Sequence, residues 1–79
     1  MEQNKMYTIV YTGCRDDSED VVTYTLGQRY LTEEAAANFL KPLCDDIVCD
    51  TFYCIDPTRL GVIDNGYDLT SCFATIEEV

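Results

Sequence analysis

Apolar and polar residues alternate with a period of two in three stretches of this chain, and in one stretch they recur at helical spacing. The first alternation runs from Lys5 to Thr12. It sets Tyr7, Ile9 and Tyr11 on one face and Met6, Thr8, Val10 and Thr12 on the other, and Gly13 is expected to end it. The second runs from Val21 to Leu26, with Val22, Tyr24 and Leu26 opposite Val21, Thr23 and Thr25, and Gly27 follows. Both are rich in β-branched and aromatic residues, which favour strands. Antiparallel pairing is the natural arrangement for neighbours joined by a short connection.

Helical spacing begins at Leu31-Thr32-Glu33-Glu34. Thr32 is the expected cap, and two glutamates in the first turn suit the positive end of the helix dipole. Leu31, just before the cap, is placed for a hydrophobic staple with Ala36. Ala36, Phe39, Leu40 and Leu43 make an apolar stripe, with Glu34, Asn38, Lys41 and Asp45 on the polar side. Pro42 interrupts this pattern. Because Leu43 extends the stripe, the expectation is a helix kinked at Pro42 and continuing to about Asp46, with an end near Lys41 as the alternative.

Beyond the helix, Thr51 to Asp56 reads as a third strand and Asp56-Pro57-Thr58-Arg59 as a type I turn. Leu60-Gly61-Val62-Ile63 reads as a short fourth strand, and Asp64-Asn65-Gly66-Tyr67 as a tight turn supplied by Asn-Gly. From Thr70 to Ile76 alternation returns, with Cys72, Ala74 and Ile76 opposite Phe73 and Thr75. A fifth strand is expected there, with a short helix as the alternative. The order β-β-α-β-β-β predicts an α+β fold, a small antiparallel sheet with one helix packed on one face. With one helix, the second face must be polar, covered or used in an interface.

Seventy-nine residues make one domain, expected to span 1–79. An apolar fraction of 47% with nine aromatics is enough to build a small core. The start of the chain alternates too briefly for a signal-peptide core, and no apolar run approaches the ~20 residues a helical membrane span requires. The expected location is the cytoplasm.

Charge changes the picture most. Fifteen acidic residues face five basic ones, for a formal net charge of −10, and there is no histidine. Residues 1–15 carry a net +1, so residues 16–79 hold −11. Three windows contain acids and no base: Asp16, Asp17, Glu19 and Asp20; then Asp45, Asp46, Asp50 and Asp56; then Asp64, Asp68, Glu77 and Glu78. These windows fall on expected loops, a helix end and a chain end. A negative surface of that kind attracts a basic groove and speeds association. The bland alternative is a solvated face that keeps the protein soluble.

The chain is poor in catalytic chemistry. Without histidine there is no imidazole base, no Ser-His or Cys-His pair and no imidazole metal ligand. Glycine-rich phosphate loops are absent, and the five basic residues are too few and scattered for direct nucleic-acid binding. Cys14, Cys44, Cys49, Cys54 and Cys72 lack the spacing of zinc knuckles and are expected as free thiols, with Cys54 and Cys72 best fitted to core positions. No metal and no cofactor are expected, and no enzymatic activity. Tyr7, Tyr11 and Tyr24 are expected to line strand faces, while Tyr30, Tyr53 and Tyr67 are candidate surface anchors.

In size, charge, single α+β domain and lack of catalytic residues, the whole chain resembles the small acidic inhibitors that phages encode, anti-CRISPR proteins and DNA mimics among them. Those families differ in fold, so no residue is carried over by position. The resemblance implies a stoichiometric inhibitor that occupies a Lys/Arg-lined groove, such as that of a CRISPR effector complex, in the host cytoplasm. Asp16, Asp17, Glu19, Asp20, Asp45, Asp46 and Asp50 are the candidate contacts, with Tyr30 and Tyr67 as candidate anchors. The partner is then a basic protein surface rather than nucleic acid or membrane, and the chain itself a monomer or homodimer. The alternative is a structural or assembly module, a homo-oligomer or accessory subunit, whose acidity serves solubility.

Overall fold

In a computed structural model that describes residues 5–15, 19–63 and 68–79, the alternating stretches form the three long strands of a five-stranded antiparallel sheet. The strands are β1 (Tyr7–Arg15), β2 (Val21–Tyr30), β3 (Asp46–Val48), β4 (Thr51–Tyr53) and β5 (Leu69–Glu78). Their order across the sheet is β2-β1-β5-β4-β3, so the last strand of the chain enters the middle. Helix α1 (Glu33–Leu40) and a short α2 (Pro57–Leu60) complete the fold. The α+β class and the single long helix on an antiparallel sheet are as the sequence predicts.

The period of two places Ile9 and Tyr11 of β1, Phe52 of β4 and Ala74 of β5 in the core. They meet Ala36 and Leu40 from α1 and Ile55, Leu60 and Val62 from the β4–β5 connection. Thr32 caps α1 as expected, its hydroxyl accepting the Ala35 N–H at 3.0 Å. Leu31 makes no staple, because its side chain is 74% exposed. The α-helix stops before Pro42, as in the alternative with an end near Lys41. The α-helix ends at Leu40 and a single 3-10 turn, Lys41–Leu43, follows, so no kinked helix reaches Asp46.

Two glycines that read as stops lie inside strands. β1 continues past Gly13 to Arg15, and a side chain at Gly13 would meet the Tyr11 hydroxyl at 3.0 Å and ring carbon Cε2 at 3.2 Å. Glycine therefore makes room for the Tyr11 ring rather than ending the strand. β2 continues through Gly27 to Tyr30 by a bulge in which Leu26, Gly27 and Gln28 stand opposite Ile9 alone. Buried Thr8 holds that bulge, its hydroxyl donating to the carbonyls of Leu26 at 2.8 Å and Gln28 at 3.3 Å.

The middle of the chain departs most from expectation. Asp46–Val48 is a strand, paired with a β4 that stops at Tyr53 rather than Asp56. Their two-residue turn holds Cys49 at φ 47° and Asp50 at φ 65°, the doubly positive geometry usually supplied by Asn-Gly. Asp56-Pro57-Thr58-Arg59 opens a helical turn instead of a β-turn: Asp56 accepts the Thr58 N–H at 2.9 Å, and Gly61 at φ 83° closes α2. Leu60–Ile63 therefore forms no strand. The turn expected at Asp64–Tyr67 lies outside the described residues.

Candidate partner-binding surface

Of the candidate contacts, Asp16, Asp17 and Tyr67 lie outside the described residues. Glu19 and Asp20 are exposed beside the β1–β2 connection, where the Arg15 N–H donates to the Asp20 carbonyl at 3.0 Å and the two side chains pair at 3.8 Å. A cation thus accompanies the acids at that end. Asp45, Asp46 and Asp50 are exposed on the β3–β4 hairpin.

The sheet order separates these groups. Asp20 lies level with Arg15, whereas Asp50 precedes Thr51, which is aligned through Thr75 with Val10. Six residue levels amount to about 20 Å along the strands. Three strand positions separate them sideways as well, so the distance exceeds about two Debye lengths at physiological salt. Glu19 and Asp20 therefore do not form one surface with Asp45, Asp46 and Asp50.

The fold instead gathers acids that are distant in sequence. Glu33 and Glu34 from the first turn of α1 and Asp50 from the β3–β4 turn rim a depression of about 170 Å³ floored by Ala37, Phe52 and Ile76. No Lys or Arg lines it, and the three rim carboxylates have no ion-pair partner among the described residues. Glu78 lies two residues beyond Ile76 on the same strand face. The N-terminus of α1 presents only about half a positive charge to the two glutamates nearest it, so the rim remains negative. Glu33 and Glu34 read in sequence as dipole partners of the helix. Their proximity to Asp50 depends on β4 pairing with β5, which no local pattern signals.

A second concavity, about 690 Å³, lies between β2, Phe39 of α1 and residues Leu60–Ile63. Aromatic and aliphatic side chains dominate it, and its lining holds no Asp, Glu, Lys or Arg. Tyr30 belongs to this wall, half-buried and 6.2 Å from Phe39 between ring centroids, and burial raises its phenol pKa. It is a wall residue rather than a projecting anchor. Tyr53 is exposed on the opposite sheet face, 6.0 Å from Phe73.

None of the five cysteines is joined in a disulfide. Cys54 is exposed and adopts φ 60°, so it is not the core residue expected from its pattern. Cys72 is half-buried and donates to the Ile55 carbonyl at 2.6 Å. Among the described residues no group of three His, Cys, Asp or Glu side chains is placed to hold a metal ion. No helix of the described residues is long and apolar enough to cross a membrane. Comparison with protein-family models, with curated proteins and with solved structures found no match.

Proposed function

We propose that this chain is a non-enzymatic binding protein whose acidic depression engages a basic protein surface, acting as an inhibitor of a nucleic-acid-binding partner such as a CRISPR effector complex. One observation carries the reading: Glu33, Glu34 and Asp50 surround an apolar floor of Ala37, Phe52 and Ile76 with no basic residue in the lining. That arrangement suits one long basic side chain. Its aliphatic stem would lie on the floor and its charged head among the carboxylates. An acidic protein presented this way competes with the phosphate backbone for the same cations.

Capture of partners from cell lysate at low and high salt tests this reading. Wild-type protein should retain a basic partner at low salt, release it at high salt, and be displaced by duplex DNA. Capture that withstands high salt, or that E33Q/E34Q/D50N performs equally well, would refute it. Asn is the substitution for Asp50 because it tolerates the positive φ of the turn.

A further inference from the structure

The two edges of the sheet are built differently. β3 is three residues long, contains Asp46 and is flanked by Asp45 and Asp50, so charge and shortness block further strand pairing there. At the other edge, β2 runs for ten residues; its segment Val21–Leu26 contains no charge and no proline, and its pairing with β1 is regular from Val21 to Thr25. Val, Thr and Tyr, five of the segment's six residues, are well suited to a strand. Among the described residues, no strand pairs with the outer side of β2. The devices by which sheets normally protect an edge begin only at the Leu26–Gln28 bulge.

We infer that β2 pairs antiparallel with β2 of a second copy of this chain. Residues directly opposite one another in an antiparallel pair must lie on the same sheet face, which restricts the register. A two-fold axis at Tyr24 sets Val22 of each copy opposite Leu26 of the other, and Thr23 opposite Thr25. Apolar residues then face apolar residues on the helix side, and hydroxyls face hydroxyls on the open side. The paired segment ends at Leu26, the first residue of the bulge. This register also brings Glu19 of each copy toward the end of β2 that holds Arg29 in the other, opposite charges at both ends of the seam. From Val21 to Leu26 the seam is uncharged, and Asp20, which this register sets opposite Gln28, is paired with Arg15 of its own chain. The Tyr24-to-Tyr30 wall of each apolar groove borders the seam, and pairing extends that wall with the second copy's Val22 and Leu26. A seam this short buries less than a standard interface, so association is expected in the micromolar range.

Light-scattering mass measured from micromolar to millimolar protein tests the inference. Wild type should shift from 9.0 kDa toward twice that mass. Thr23 and Thr25 are exposed, so T23E/T25E should fold normally. It sets like charges opposite one another and should weaken association by about tenfold or more. T23K/T25K should weaken it as well, although it lowers the net charge. V48E, on the β3 edge and the open sheet face, should leave the mass unchanged. Hydrogen exchange of wild type should show backbone amides of Val22–Leu26 gaining protection at high concentration. A 9.0 kDa mass at every concentration, a dimer that persists in T23E/T25E, or concentration-independent exchange at β2 would each overturn the inference.

Discussion

Replacing Tyr11 by Phe removes one oxygen atom and is expected to stabilise the protein. The Tyr11 side chain is fully buried, yet its hydroxyl has no hydrogen-bond partner. The neighbouring Cys72 thiol gives its proton to the Ile55 carbonyl at 2.6 Å, which leaves only its sulfur, a weak acceptor, beside the hydroxyl. A buried hydroxyl without a partner costs about 1–3 kcal/mol, and the small void left by the oxygen offsets part of that. The expected net gain is about 1 kcal/mol, or roughly 4–8 °C in unfolding midpoint for a domain of this size. Gly13 provides an internal control. A methyl group there would meet the Tyr11 hydroxyl at 3.0 Å and Cε2 at 3.2 Å. G13A should destabilise the wild type by about 1–3 kcal/mol, even though reduced unfolded-state entropy returns up to about 1 kcal/mol. In Y11F the closer contact is gone, so G13A should be milder there, with a coupling of at least about 0.5 kcal/mol.

The same phenol predicts an alkaline limit. Burial, and then the adjacent Cys72, hold the Tyr11 pKa well above the ordinary value of 10.0. The folded state therefore keeps a proton that the unfolded chain loses, and the contribution, fully present below about pH 10, declines as pH rises above it. The slope approaches about 1.4 kcal/mol per pH unit. Y11F should flatten that slope, with Tyr30, also raised by burial, leaving a residue of it. Thermal and urea unfolding at neutral and alkaline pH measure all of these quantities. A Y11F protein less stable than wild type by 1 kcal/mol or more, or a G13A effect identical in both backgrounds, would refute the packing described here.

Two further stability predictions concern the backbone. Cys49 and Asp50 both occupy positive φ in the β3–β4 turn, so C49N/D50G should raise stability by about 1 kcal/mol in urea unfolding, whereas valine at position 49 should lower it. Thr8 donates to the Leu26 and Gln28 carbonyls at 2.8 and 3.3 Å, so T8V should cost about 1–3 kcal/mol and speed amide exchange around the β2 bulge.

Where side chains alternate over many residues, the sequence is a reliable guide. β1, β2 and β5 fall where the period of two places them, with Ile9, Tyr11 and Ala74 inward, and Thr32 caps α1. Glycine misled twice, because its meaning depended on a neighbour in space: a Tyr11 ring over Gly13, and a Thr8 hydroxyl bridging the bulge at Gly27. β3 left no readable pattern, being three residues long with a turn lacking Asn-Gly. Leu60–Ile63 read as strand because a short apolar run looks the same in a strand, at a helix end or in coil: Leu60 closes α2, Val62 is buried and Ile63 is exposed. The acidic surface was legible in amount but not in place. Which carboxylates meet depends on β5 entering between β1 and β4, an ordering fixed by long-range pairing alone. That ordering sends Asp50 to Glu33 and Glu34 and leaves Glu19 and Asp20 at the other end.

The most direct test of the proposed function is the affinity of the captured basic partner measured across salt concentration for wild type, E33Q/E34Q/D50N and E19Q/D20N. The first variant should bind more weakly and with a shallower salt dependence, while the second should match the wild type. Equal affinity and equal slope for wild type and E33Q/E34Q/D50N would contradict the account, as would a loss confined to E19Q/D20N.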